Sequence, residues 1–204
     1  ENNVLATANL VKHFEDKPLN KFIFVSTSSV YGRLAIGDEL SELLPISPYG
    51  ATKLAAEKLL FSYYYEKDLP LSILRIFSVF GPRQRPDMMY SKLLNAAIHS
   101  KPINIFGDGS QSRTNTYVGD IVDGIMQALA GAKVGEIYNL GGGEEITLNQ
   151  AIAHVELITE RTLVKEFLDT KYGDQYRTSA DTRKARRDFG FSPKVSVYEG
   201  LQRQ

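Results

Sequence analysis

The chain has 204 residues, 43% of them hydrophobic and 24% charged, with 24 basic and 24 acidic side chains that cancel; this suits one good core and is small for two domains. With no cysteine, disulfides and thiolate metal sites are excluded, and the three histidines, at 13, 99 and 154, are too scattered for a zinc site. No apolar run reaches the roughly 18 residues of a membrane span, and Glu1-Asn2-Asn3 does not resemble a signal peptide, so a cytoplasmic location is expected.

Val4, Leu5, Ala8, Leu10, Val11 and Phe14 recur at helical spacing and predict a first amphipathic helix, ended by Lys17-Pro18-Leu19-Asn20. Phe22-Ile23-Phe24-Val25 predicts a strand buried on both faces, which runs out into the hydroxyl cluster Ser26-Thr27-Ser28-Ser29. Val30 to Ile46 reads as a polar loop. A helix is predicted from Pro48 to Lys67, where proline suits the first turn, and Asp68-Leu69-Pro70 breaks it. Leu71 to Phe77 predicts a second buried strand before the turn Gly81-Pro82. Strand, loop, helix and strand in this order make a parallel α/β unit with a crossover.

Further along, helices are predicted at 91–100, 118–129 and 147–159, the last with Thr147 as N-cap. Short strands are expected at 136–140 and 163–167, and a short helix near 181–189. Arg183-Lys184-Ala185-Arg186-Arg187 is the only basic cluster, and Asp181 and Asp188 flank it, as on a solvated helix face rather than a nucleic-acid surface. Gly141-Gly142-Gly143 and Gly107-Asp108-Gly109 lack G-x-G-x-x-G spacing and read as tight turns.

The chemistry concentrates at Ser47-Pro48-Tyr49-Gly50-Ala51-Thr52-Lys53. A tyrosine and a lysine four apart on a helix share a face, and a nearby ammonium favours ionisation of a phenol whose ordinary pKa is about 10. Such a pair can serve as a general base or acid. Tyr63 and Lys67 repeat the spacing, so the pattern alone does not choose. Position does. In open α/β sheets ligands bind beyond the carboxyl ends of strands. Tyr49 starts its helix near two such ends, Ser26 to Ser29 and Phe77 to Phe80, whereas Tyr63 lies roughly 21 Å further along.

These residues carry a family resemblance. Phe24-Val25-Ser26-Thr27-Ser28-Ser29-Val30-Tyr31-Gly32, then Ser47 to Glu57, then Arg75-Ile76-Phe77-Ser78-Val79-Phe80-Gly81-Pro82-Arg83-Gln84 resemble the extended short-chain dehydrogenase/reductases. Within these, the chain is most similar to the NAD-dependent nucleotide-sugar epimerases and dehydratases typified by UDP-glucose 4-epimerase. Ile105-Phe106-Gly107-Asp108-Gly109-Ser110-Gln111-Ser112-Arg113, Tyr117-Val118-Gly119-Asp120, Tyr138-Asn139-Leu140-Gly141 and Gly173-Asp174 extend the likeness in order across nearly the whole chain.

The resemblance implies an α/β fold: the carboxyl-terminal part of a Rossmann-type doubly wound parallel sheet plus a small α/β substrate domain. It implies a partial Rossmann, catalytic region at 1–82 and a mainly substrate-binding region at 83–204, with some elements returning to the first sheet. Tyr49 would be the general base/acid, Lys53 would bind the nicotinamide ribose and act on the phenol, and Thr27 or Ser28 would hold the reacting sugar hydroxyl. Ser26, Phe77 and Val79 would join Tyr49 and Lys53 around NAD. Ser78, Ile105, Arg113, Lys171 and Asp174 would meet the substrate, Arg113 at its diphosphate. The implied reaction is epimerisation at C4 of a nucleotide sugar through a transient ketone; the alternatives are another nucleotide-sugar reaction of the family (dehydration, decarboxylation or reduction) and a non-catalytic relative or inactive fragment. A homodimer through helices 1–14 and 49–65 is implied as well.

Departures from the family bear on the substrate. Ser78 stands where asparagine is common, Thr114 where aspartate follows the arginine, and Lys171 where an arginine fork is usual. Many dehydratases carry Asp-Glu after the strand-end threonine; here Ser28-Ser29 disfavours dehydration. The family's opening strand, G-x-x-G-x-x-G loop and acidic ribose ligand do not occur in this sequence. The chain, which begins with glutamate, is therefore expected to be a fragment or a processed product that does not bind NAD measurably alone.

Overall fold

A computed structural model of the chain describes residues 2–169 and 177–204. The elements run α1 (Leu5–Phe14), β1 (Phe22–Thr27), a 3-10 turn (Ser28–Tyr31), β2 (Leu34–Gly37), α2 (Pro48–Lys67), β3 (Leu71–Ile76), β4 (Ser78–Phe80) and α3 (Met89–His99). They continue with β5 (Ile103–Phe106), β6 (Ser112–Tyr117), α4 (Val118–Gly131), β7 (Glu136–Leu140), β8 (Glu144–Thr147) and α5 (Leu148–Thr159). The last are β9 (Lys165–Leu168), β10 (Arg177–Ala180), α6 (Arg183–Phe189) and α7 (Val197–Gln202).

β1, β3 and β7 form a parallel sheet with β3 at its centre. Alternation along β3 explains why Leu71 to Arg75 are all buried. Leu71 and Ile73 pack with Val11 of α1 and Leu60 of α2, whereas Leu74 and Ile76 meet Ile121 and Ala128 of α4 on the opposite face. Each fully buried aliphatic side chain contributes about 1.5–3 kcal/mol. By the same alternation Arg75 faces α2, so a guanidinium enters an otherwise apolar layer.

The chain leaves this sheet at Phe77, whose N–H still bonds the Leu140 carbonyl at 2.9 Å. β4 then joins a second sheet ordered β2-β10-β6-β4, with β8 antiparallel on β6, and β5 pairs β9 separately. A second core lies between α3, α5 and α7, and includes Phe80, Leu93, Ile152, Val155 and Leu201.

The helix predicted over 48–67 has those bounds, because each end carries its own signal. The Ser47 hydroxyl accepts from the Gly50 N–H at 3.1 Å with Pro48 in the first turn, and Asp68 adopts the left-handed conformation at φ 52° before Pro70. The expected polar loop 30–46 instead contains a 3-10 turn and β2. Gly141 to Gly143 leads into β8 rather than directly into a helix. A side chain at Gly143 would lie 2.1 Å from the Asn115 carbonyl, so the glycine allows two backbones to touch. Among the described residues no helix is long and apolar enough to cross a membrane, and no cluster suited to a metal ion occurs.

Candidate active site

β1 and β3 are parallel and in register, Ser26 beside Arg75 and Thr27 beside Ile76, so their carboxyl ends emerge together. Between them and the start of α2 opens a cavity of about 850 Å³. Ser26, Thr27, Ser28, Ser29, Tyr49, Phe77, Ser78 and Val79 all line it. Thr27 ends the strand and caps the following 3-10 turn: its hydroxyl accepts from the Ser29 N–H at 3.2 Å. That turn keeps the hydroxyl run at the cavity mouth.

Tyr49 is 51% exposed and stands on the first turn of α2 at the cavity wall. Lys53, one turn on, donates to the Val25 carbonyl at 2.6 Å and sits 4.1 Å from the Phe24 ring centroid. Burial lowers the pKa of its ammonium, and the Glu57 carboxylate opposes that shift. Gly50 allows α2 to come this close. A Cβ there would fall 2.5 Å from the Ser29 carbonyl and 3.1 Å from Pro45. Gly50→Ala is therefore expected to cost about 1–3 kcal/mol by chemical denaturation, as α2 is pushed off the strand end.

The second Tyr–Lys pair is structural. Tyr63 packs against the core made by α1, α2 and β3, and Lys67 pairs with Glu15 at 3.1 Å.

Not every expected site residue reaches the cavity. Ile105 is 1% exposed within the core of α3, α5 and α7, so its side chain is packing rather than a substrate contact in this structure. Arg113 lies on β6 and borders a separate cavity of about 20 Å³ with Tyr90, Gln111 and Asn115. Lys171 and Asp174 lie outside the described residues.

Some wall residues were quoted in the motif without receiving a role. Arg83 and Gln84 also line the cavity, next to Arg85 and Met88. Arg83 holds φ 66°, the left-handed region that non-glycine residues rarely adopt. Gln84 ties the loop down, donating to the Val79 carbonyl at 3.1 Å and accepting from the Ser91 N–H at 3.1 Å.

Beneath the cavity lies a buried polar network. Arg75 donates to Glu57 twice, Nε to Oε1 at 3.1 Å and Nη2 to Oε2 at 2.7 Å, with both side chains 2% exposed. The Ser26 hydroxyl donates to Oε1 of Glu57. Arg75 Nη1 donates to the Tyr31 hydroxyl at 3.0 Å and to the Glu39 carbonyl at 3.2 Å, and Tyr31 donates to Asn139 at 2.8 Å. Burial opposes the charge on Arg75, but Glu57 and Tyr31 together outweigh it and the guanidinium pKa is raised. Burial likewise pushes the Tyr31 phenol up. The sequence offered a signal here: an arginine inside a buried strand needs a partner.

Residues 1–141 match the NAD dependent epimerase/dehydratase family. The chain belongs to that family. An uncharacterised UDP-glucose epimerase, YtcB, of Bacillus subtilis is 39% identical over 201 residues, covering 98% of this chain and 64% of the relative. A UDP-glucuronate 4-epimerase of Thermodesulfobacterium geofontis is 37% identical, over 100% of this chain and 64% of its own. The crystal structure of UDP-glucuronic acid 4-epimerase from Bacillus cereus in complex with UDP-glucuronic acid and NAD superposes with a TM-score of 0.94 at 40% identity, covering 98% of this chain and 65% of that one. The human dTDP-D-glucose 4,6-dehydratase is 32% identical over 98% of this chain and 60% of its own.

The epimerase/dehydratase chain thus spans about 64% of the length of the first two curated relatives. Its fold is the mixed α/β, Rossmann-type architecture of these NAD-dependent enzymes. The cavity fits the nicotinamide end of that cofactor. Val25, Phe77 and Val79 supply an apolar wall, and Tyr49 with the strand-end hydroxyls supplies polar groups beside it. The Ser26 proton is already committed to Glu57, so this hydroxyl can only accept from a ligand.

Proposed function

We propose that the whole protein interconverts C4 epimers of a UDP-linked hexose or hexuronic acid through a transient 4-keto sugar. The observation that carries this reading is the cavity wall itself. It joins Tyr49 to the hydroxyls of Thr27, Ser28, Ser29 and Ser78 and, among the described residues, includes no carboxylate. Removing water from the sugar needs an acid and a base at the neighbouring carbons, and serine is a poor candidate for either near neutral pH. Oxidation and return need only one proton acceptor and groups that hold the sugar hydroxyl.

In this reading Thr27 and Ser28 orient the C4 hydroxyl and Tyr49 takes its proton. When bound, NAD would supply the redox chemistry, reversible hydride exchange with C4. Once the ketone has turned its opposite face to the hydride donor, Tyr49 returns the proton to the C4 oxygen and the inverted alcohol forms. Lys53 holds positive charge near the phenol, and Phe77 and Val79 keep water from one side of the reacting centre. Arg83 and Arg85 at the wall complement an anionic substrate. The relatives that bind or act on UDP-glucuronic acid support a UDP-sugar over other nucleotides.

The test is a product assay. Full-length protein with NAD is incubated separately with UDP-glucuronic acid, UDP-glucose and dTDP-glucose, and the product's C4 configuration is read by proton NMR. The expected product is the 4-epimer of a UDP-sugar. Accumulation of a 4-keto-6-deoxy sugar instead would make the protein a dehydratase and sink the proposal.

A further inference from the structure

The Tyr49 mechanism leaves the Glu57–Arg75 pair unused, although a pair this deeply buried calls for an explanation. Charges taken out of water cost several kcal/mol each, and their attraction often only restores the balance, so a buried pair is weak evidence of a stabilising role. The contacts show what this pair orders. Glu57 lies one helical turn after Lys53 and two after Tyr49, on the same face of α2. Its Oε1 accepts from Ser26, the residue before Thr27, and from Arg75, two residues before Phe77. One carboxylate therefore ties together the three segments that carry the proton acceptor, the hydroxyl run and the apolar wall.

We propose that Glu57, gripped by Arg75 and Ser26, is a positioning residue that sets the first turn of α2 against the strand-end hydroxyls and stands as the counter-charge to Lys53. This rests on the Tyr49 reading above. The titratable and charged groups nearby are Tyr49, Lys53 and Glu57 on α2, Arg75 on β3, Tyr31 on the 3-10 turn and Glu39 after β2. Among these, Glu57 is the charge that acts on Lys53. The sign follows from two opposed effects. Burial lowers the pKa of Lys53 and Glu57 raises it, so removing the carboxylate leaves only the lowering and Lys53 loses its proton at a lower pH.

The experiment uses full-length protein loaded with NAD and the UDP-sugar that it turns over. Glu57→Gln keeps the shape and removes the charge. It is expected to reduce kcat about 10- to 100-fold with KM changed less than about threefold, and to move the alkaline limb of the kcat–pH profile to lower pH. Amine-directed labelling of Lys53 across pH, read by mass spectrometry, should show the same downward move without any turnover. Glu57→Leu combined with Arg75→Met removes the pair together and guards against misfolding, since apolar replacements of such pairs are often tolerated. The double variant should keep the wild-type melting temperature within a few degrees and still show both defects. Ser26→Ala, which leaves the ion pair intact, should lower kcat by about 3- to 10-fold with unchanged melting.

Folded variants with wild-type kcat and an unmoved alkaline limb and labelling midpoint would overturn the inference. A kcat loss restored in the double variant would also overturn it, by showing that the pair acts only through stability. Tyr49→Phe, run in parallel, separates this inference from the reading beneath it. If Tyr49→Phe stays active, the reading fails. If Tyr49→Phe is inactive and the Glu57 and Ser26 variants are normal, only the positioning role fails.

Discussion

Tyr49→Phe in the full-length protein is expected to lower kcat by about 10²- to 10⁴-fold, the range a positioned general base or acid contributes. The substitution deletes one hydroxyl and keeps the ring. Because Tyr49 is 51% exposed, stability should stay within about 0.5 kcal/mol, and a lost rate cannot be blamed on unfolding. Among the described residues, the other polar side chains of the wall are guanidinium groups, which offer only donors, together with hydroxyls and the Gln84 amide. Tyr63→Phe is the control, since it repeats the sequence spacing inside a packed core and should leave kcat unchanged. The measurement is the initial rate of 4-epimer formation. A Tyr49→Phe rate within tenfold of wild type would show that another group moves the proton.

The part of the site built from sequential neighbours was legible in the sequence. A hydroxyl run at a strand end, a proline-started helix and a second buried strand converge by the geometry of parallel α/β units, and Tyr49, Thr27, Ser28, Phe77, Ser78 and Val79 do share one cavity. What escaped the reading is non-local or not apolar. β6 reads Ser-Arg-Thr-Asn-Thr-Tyr, which has no hydrophobic alternation, yet Thr114, Asn115 and Thr116 are buried between its neighbours. β2 and β10 have four residues each and find each other across most of the chain. Ile105 stood in a motif associated with substrate, and only the packing of α3 and α5 reveals it as core. Glu57 and Arg75 were visible as motif letters, but their pairing depends on which face of β3 meets α2.

That pairing carries the second large effect. Arg75→Ala is expected to destabilise the full-length protein by about 3–5 kcal/mol, the cost of leaving one member of a buried pair without the other. The Glu57 carboxylate would lose both guanidinium bonds and keep only the Ser26 hydroxyl, while Tyr31 and the Glu39 carbonyl would each lose a donor. A comparison within the same molecule isolates burial as the cause. Arg85 and Asp87 pair at 3.1 Å, close to the Arg75–Glu57 distances, but are 74% and 65% exposed. Arg85→Ala should therefore cost less than about 1 kcal/mol. Denaturant titrations of the two variants read this difference directly, provided the m-values match wild type. If Arg75→Ala cost no more than Arg85→Ala, water would have to reach Glu57, and the carboxylate could not be the fixed point between α2 and the strand ends.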